Sequence, residues 1–233
     1  MIEVQRLMKR FGPKVVLRGL DFSAHAGEFV ALLGPNGAGK TTFLRILASL
    51  SRPTAGVVRI GGYALPQEAA AVRRTLGVVS HQTLLYGDLT AEENLLFYAR
   101  LYGIEHAGQR VKEVLELVGL ERRRADLVRT FSRGMQQRLS IGRALLHDPQ
   151  VLLLDEPYTG LDQDASAILD QILRTVAAQG RTILLTSHDL ARAEDLATRF
   201  DVLSRGRIVA SAGREALHHS GLLAFYRQAL EAA

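Results

Sequence analysis

Gly34-Pro35-Asn36-Gly37-Ala38-Gly39-Lys40-Thr41 follows the apolar run Phe29–Leu33 and precedes Thr42–Leu50, where apolar residues fall at helical spacing. A strand, a glycine-rich turn and a helix in that order bring several backbone N–H groups and one helix N-terminus to a single point. That arrangement suits a polyphosphate. Lys40 can reach terminal phosphates, and the Thr41 hydroxyl can ligate Mg²⁺. Stripped of this context, the same stretch would read as a glycine-rich turn and nothing more. The context is strengthened by the rarity of lysine, which occurs only at Lys9, Lys14, Lys40 and Lys112.

Downstream, Val151-Leu152-Leu153-Leu154 leads into Asp155-Glu156-Pro157. Four apolar residues ending in two acids place both carboxylates at the carboxyl end of a buried parallel strand, where open α/β sheets bind their ligands. Asp155 can then hold Mg²⁺ while Glu156 reaches an attacking water. The alternative is a pair of acids that merely begins a solvated loop. Between the two motifs, Ser132 stands where it can cap a helix beginning at Arg133, which gives a second anion-friendly helix start.

Short apolar runs recur at Val57–Ile60, Leu76–Val79, Thr182–Thr186, Asp201–Leu203 and Arg207–Val209. Several are apolar on successive residues, as parallel strands covered on both faces require. From Thr90 to His147 the period changes. Thr90 with Glu93 forms a capping box, Leu95, Leu96, Ala99, Leu101 and Tyr102 form an apolar stripe, and Gly103 supplies a stop. Further helices are expected over about 109–118, stopped by Gly119, and over 133–147, ended by Asp148-Pro149. A helical insertion thus divides an α/β core, and 214–233 reads as one or two short helices.

The 233 residues include no cysteine and carry a net charge of +5, which excludes a disulfide scaffold and a cysteine-ligated zinc site. The surplus charge is too dispersed for a DNA-binding face, so no nucleic-acid partner is expected. The apolar runs are far shorter than the roughly 18 residues of a membrane-spanning helix, and 1–11 lacks the pattern of a signal peptide. Adjacent His218 and His219 lack companion metal ligands. Arg122-Arg123-Arg124 reads as a solvated face.

Taken together, these motifs resemble the nucleotide-binding subunit of ATP-binding-cassette (ABC) transporters over nearly the whole chain. The phosphate loop and Val151–Glu156 are joined by Gln82 after a strand, Ser132–Gln137, Gly160-Leu161-Asp162, and His188 after a strand. The resemblance implies an α/β fold of the P-loop NTPase type: a RecA-like, mostly parallel sheet plus an antiparallel β subdomain, with an inserted α-helical subdomain. It implies one domain over 1–233, with the core in 1–82 and 148–211, the helical subdomain in 83–147 and short terminal helices in 212–233. ATP and Mg²⁺ are the implied ligands. Gly34, Pro35, Asn36, Gly37, Ala38, Gly39, Lys40, Thr41 and Thr42 would cradle the nucleotide, and Phe11 would stack on adenine unless it simply plugs the turn before Gly12-Pro13. Thr41, Gln82 and Asp155 would serve the metal, while Glu156, His188 and Gln82 would be catalytic.

The same resemblance implies two subunits paired head to tail, a homodimer in the simplest case, with Ser132, Gly134 and Asp162 of one chain facing the nucleotide of the other. Arg133 departs from the family's usual glycine and Met135 from its usual Gln. Because Ser132 and Gly134 keep the phosphate-contacting hydroxyl and the flexible backbone, a competent site is expected, with the bulky cation at Arg133 as the feature that would reduce ATP binding from the second subunit. A separate transmembrane permease would dock on 82–147 near Leu84, Leu85 and Tyr86, holding the protein in the cytoplasm on the inner face of the cell membrane. Phe131–Arg138, Val79–Tyr86 and Glu156–Gly160 resemble an export-type branch, most closely the heme exporter ATPases of cytochrome c maturation. Drug or polysaccharide export ATPases of related type are close competitors to heme export, and a soluble iron–sulfur assembly ATPase is the alternative from a different class.

Overall fold

All five residues of β3 (Phe29–Leu33) are buried, and their side chains divide between two cores. Phe29, Ala31 and Leu33 face one cluster and Val30 and Leu32 the other, because successive side chains on a strand point to opposite faces. The computed structural model describes residues 1–80, 82–217 and 221–232. His81, His218 and His219 lie outside the described residues.

β3 is at the heart of a six-stranded sheet. Its strands, with β6 (Leu76–Val79), β7 (Val151–Asp155), β8 (Thr182–Thr186), β9 (Arg199–Ser204) and β10 (Arg207–Gly213), run in the order β10-β9-β3-β8-β7-β6. All neighbours are parallel except β10, which returns antiparallel to β9. A second, antiparallel sheet joins β1 (Ile2–Phe11), β2 (Lys14–Ala24), β4 (Ala55–Ile60) and β5 (Tyr63–Leu65) in the order β2-β1-β4-β5. Its inner face, with Leu7, Leu17 and Ile60, packs with Phe43, Ile46 and Leu47 of helix α1 (Lys40–Leu47) against the even-numbered side of β3.

The sequence reading names no strand before Phe29, and the structure shows why. Ile2 and Val4 are buried on one alternation and Leu7 on the other, with a register shift between Val4 and Leu7 and Arg6 at φ +46. A bulge breaks the period of two by which a strand is recognised. Helix α2 (Ala69–Thr75) also went unread.

Between Gln82 and β7, the described residues form α3 (Ala91–Tyr102), α4 (Ala107–Leu117), α5 (Arg133–Leu145), two short 3-10 turns and a single isolated bridge. The capping box of α3 is formed: Glu93 N–H donates to Thr90 Oγ1 at 3.1 Å and Thr90 N–H to Glu93 Oε2 at 2.8 Å. Gly103 ends the helix at φ +69. The buried stripe of α3 is Ala91, Asn94, Leu95 and Ala99, not the set ending in Leu101 and Tyr102, which are 68% and 42% exposed. Asn94 folds the preceding segment back on the helix, accepting from Tyr86 N–H and donating to the carbonyls of Tyr86 and Thr90. Leu84 and Tyr86 stand exposed, whereas Leu85 is half-buried and packs against the core.

After β7 come α6 (Gln163–Ala178), α7 (Leu190–Leu196), a short 3-10 turn at Arg214–Leu217 and α8 (Gly221–Glu231). β10 extends to Gly213, past the expected start of the tail at 212. No helix among the described residues is long and apolar enough to cross a membrane.

His147 closes α5 against the sheet. Its Nε2 lies 2.8 Å from the Leu76 carbonyl, its ring stacks on Tyr102 at 4.0 Å, and its Nδ1 is buried without a partner. Burial holds its pKa below the ordinary 6.5, against the opposing hydrogen bond to Leu76. The unfolded chain therefore takes up the proton first, so this site's contribution is complete above about pH 6.5 and is lost as pH falls through the lowered folded value. In urea titrations between pH 7 and 5, the wild-type midpoint should fall more steeply than that of His147→Gln; parallel curves would refute the assignment.

Candidate active site

A cleft of about 480 Å³ opens at the carboxyl end of β3, lined by Pro35 to Thr42, Lys14, Val15, Val16, Arg18, Glu156 and Arg205. Gly34 begins the loop at φ +153, and a Cβ there would stand 2.2 Å from the Leu203 carbonyl oxygen. The loop therefore lies directly on the end of β9, a proximity only glycine permits. Lys40, the first residue of α1, is 7% exposed. Its ammonium donates to the Gly34 carbonyl at 2.5 Å and lies 3.9 Å from Glu156 Oε1. Burial lowers its pKa, while Glu156 and Asp155 oppose that shift.

Strand pairing brings the acids to the same place. Asp155 on β7 is registered with Thr186 on β8, and Thr186 in turn with Leu32 on β3. Across these ends, the Thr186 hydroxyl donates to Asp155 Oδ1 at 2.8 Å and the Thr41 hydroxyl donates to the same oxygen at 3.2 Å. Glu156 adopts φ +50, an uncommon conformation for a residue with a Cβ, costing about 1–3 kcal/mol. Its N–H is held by Thr186, 3.0 Å from Oγ1 and 3.2 Å from the carbonyl. His188 Nδ1 lies 2.7 Å from Glu156 Oε2, so the tautomer protonated at Nδ1 donates to that carboxylate.

The chain thus brings together Lys40, Thr41, Asp155, Glu156 and His188. Other expected site residues lie outside this cleft. Phe11 is 52% exposed on the β1–β2 hairpin with the Lys9 ammonium 4.7 Å above its ring, and Val16 contributes to the cleft wall instead. Gln82 is exposed and lines a separate cavity with Arg133, Gln136 and Gln137. Ser132 caps α5, accepting from Met135 N–H at 3.3 Å. Asp162 caps α6 through Ala165 N–H at 2.7 Å. Gly134 sits where α5 meets α6: an added Cβ would be 2.6 Å from Ala165 Cβ. This glycine has a packing reason for its identity.

Sequence reasoning missed Thr186, Lys14, Arg18 and Arg205. Thr186 ends a strand that was correctly read, but its partnership with Asp155 depends on which strands are neighbours.

The family model described as ABC transporter matches residues 17–159, more than half the chain. The chain belongs to the ABC transporter family. It carries the family's ATPase domain. It is similar to the Linearmycin resistance ATP-binding protein of Bacillus subtilis, at 37% identity over 90% of this chain and 68% of that protein. It is also similar to the Nod factor export ATP-binding protein I of Burkholderia lata, at 43% identity over 94% and 73% of the two chains. Among solved structures, an ATP-binding subunit of an ABC transporter superposes with a TM-score of 0.88 at 33% identity, over 99% of both chains. A dimeric ATP-binding cassette in a post-hydrolysis state, bound to ADP and phosphate, gives 0.82 at 29% identity over 92% of this chain and 99% of that one.

The Gly134 contact makes a measurable claim. Gly134→Ala should lose about 1–3 kcal/mol in a urea titration without any nucleotide, as overpacking between two helices does. Adding Ala165→Gly should recover part of that loss. A Gly134→Ala protein as stable as wild type would show that the helices have room to separate.

Proposed function

We propose that this chain is the ATP-binding and ATP-hydrolysing subunit of an export-type ABC transporter, working through a separate membrane-spanning permease. The supporting observation is the convergence on one cleft of a glycine cradle, a buried lysine, and Asp155 and Glu156 with distinct partners. In this reading the backbone N–H groups of 34–42, with the N-terminus of α1 and Lys40, bind the phosphates of ATP. Val16 and Phe11 serve the base, the latter by closing over it from the hairpin.

The donor set suits Mg²⁺: the Thr41 hydroxyl and Asp155 carboxylate are hard oxygens on the same spot, and Mg²⁺ favours few carboxylates together with waters and phosphates. Gln82 is the further candidate, reached by movement of its exposed segment. The ion, when bound, neutralises charge on the phosphates. Glu156 accepts the proton of the attacking water, and His188 orients that carboxylate and contacts the terminal phosphate. Lys40 offsets charge that develops on the transferred group, in a site whose burial strengthens the interaction.

Ser132, Gly134 and Asp162 do not line the cleft of their own chain. Their role is assigned across a head-to-tail homodimer, where the capped start of α5 completes the phosphate shell of the partner's ATP. ATP then stabilises the pair by binding both halves, and hydrolysis loosens it. The core is assigned to 1–82 and 148–211, and the region 83–147 to the subdomain that moves.

A groove of about 370 Å³ lies between the core and that region, bordered by Leu50, Val78, Leu84 and Tyr102 with Arg73 and Arg74 at its rim. This groove is the proposed seat of the permease, which would keep the chain at the inner face of the membrane. It extends onto α2 and the turn that follows α1, beyond the insertion where the sequence placed docking. Export is supported by the names of the linearmycin and Nod factor relatives. Heme as cargo rests on motif resemblance alone. With the permease in place, heme that raises ATP turnover supports that cargo, and heme without effect excludes it.

Glu156→Gln should retain ATP binding and trap an ATP-dependent dimer while kcat falls by about 10²–10⁴-fold; full turnover would remove Glu156 from its role. Lys40→Ala should lose ATP affinity in a calorimeter, and unchanged affinity would contradict the cradle. A mixture of Lys40→Ala with Ser132→Ala should recover activity at one composite site, whereas normal activity in both mutant homodimers would refute shared sites.

A further inference from the structure

We propose that Arg133 is a positioning residue, which holds the loop carrying Glu156 from the helical insertion. Arg133 is the first residue of α5. Its Nε donates to the Thr159 carbonyl at 2.8 Å. The Arg133 side chain also lies close against Gly160: a Cβ there would stand 2.6 Å from Nε, 3.0 Å from Cζ and 3.1 Å from Cδ. Gly160 has φ +75, so glycine is favoured at that position by its backbone as well as by the arginine above it. Among the described residues, no carboxylate pairs with Arg133; its specific contacts are with this loop.

Thr159 is one hydrogen bond from the residue assigned as catalytic base, since its N–H donates to the Glu156 carbonyl at 3.2 Å. Glu156 occupies a left-handed conformation, which persists only where its surroundings impose it. The core supplies two of those restraints. Thr186 holds the Glu156 N–H, and the Tyr158 hydroxyl donates to Asp170 at 2.6 Å, with Arg192 on the other oxygen of that carboxylate at 3.0 Å. Burial, with the Asp170 hydrogen bond, raises the Tyr158 pKa, so this phenol keeps its proton. Arg133 adds a restraint from a different part of the molecule. It begins the helix whose cap, Ser132, is the proposed contact to the partner's nucleotide. A displacement of α5 therefore reaches the Glu156 peptide through Thr159, so the position of the insertion biases that of the Glu156 carboxylate. The sequence reading took Arg133 only as a departure from the family's glycine at a site still expected to be competent, whereas these contacts give it a structural purpose.

The inference rests on the assignment of Glu156 in the proposed function, and two readouts keep the two claims apart. The first needs no nucleotide. Hydrogen exchange of the amides in 157–162 should quicken by about tenfold in Arg133→Gly, as expected when a local restraint is removed, and less in Arg133→Lys, which keeps a donor for Thr159. The second is steady-state ATP turnover. Arg133→Gly should lower kcat by about three- to tenfold while the KM for ATP and the calorimetric affinity change by less than about twofold, the pattern of an acid displaced from its productive geometry. Gly160→Ala should cost more in wild type than in the Arg133→Gly background, where the obstructing guanidinium is gone.

Unchanged exchange in Arg133→Gly would overturn the proposal, as would quickened exchange with unchanged kcat. A loss confined to KM would also overturn it, and would make Arg133 a nucleotide contact. Full ATP turnover by Glu156→Gln would instead sink the underlying assignment, leaving the exchange result to decide whether Arg133 restrains the loop.

Discussion

The site depends on the register of three parallel strands. Asp155 stands beside Thr186 and Thr186 beside Leu32, so β7, β8 and β3 release their chains at one level of the sheet. The acids, the segment leading to His188 and the glycine loop all start from that line. A slip of one residue would move a strand end by about 3.3 Å and turn its side chains to the opposite face. Both faces of these strands are buried, in different clusters, so such a slip is resisted along the full length of each run. Precision at the cleft is therefore a consequence of apolar packing below it.

On that base the polar groups are arranged under tension. Lys40 is deeply buried, and Asp155 is 9% exposed with two hydroxyls donating to one of its oxygens. Burial of charge is costly, and opposite charges nearby recover only part of the cost. Glu156 adds backbone strain to this. Such groups gain most when a polyanion and a cation enter together, because the incoming charges meet donors already oriented towards them. The fold keeps a poised arrangement, which a sheet edge alone would not sustain.

Much of this was legible in the sequence because it is local. Four successive apolar residues before Asp155 identify a doubly covered strand, and Thr90 with Glu93 and Ser132 before α5 fix helix starts by chemistry within three residues. What failed to show was either interrupted or long-range. Bulges at Arg6 and in β2 hid the individual strands of the antiparallel sheet, whose existence only the family resemblance implied. The partnership of Thr186 with Asp155 spans 31 residues and needs the strand order. Leu85 looked like its exposed neighbours until Asn94 was seen to fold that segment inward. Arg133 was read against the glycine it replaces, since nothing nearby in sequence reveals Thr159 beneath it. Phe11, Gln82, Ser132, Gly134 and Asp162 were grouped by motif, and a single chain leaves them apart from the cleft.

The contact of Gly134 with Ala165 has a mechanical meaning. At that point only the Ala165 methyl lies between α5 and α6, so the helices approach closely and little space is left to absorb a push. Ser132 and Asp162, which cap these two helices, thereby stand on elements in direct contact, so a shift at one cap meets the other helix across a single methyl group. A cassette built this way would transmit small displacements faithfully, at the expense of tolerating almost no growth in side-chain volume along that seam.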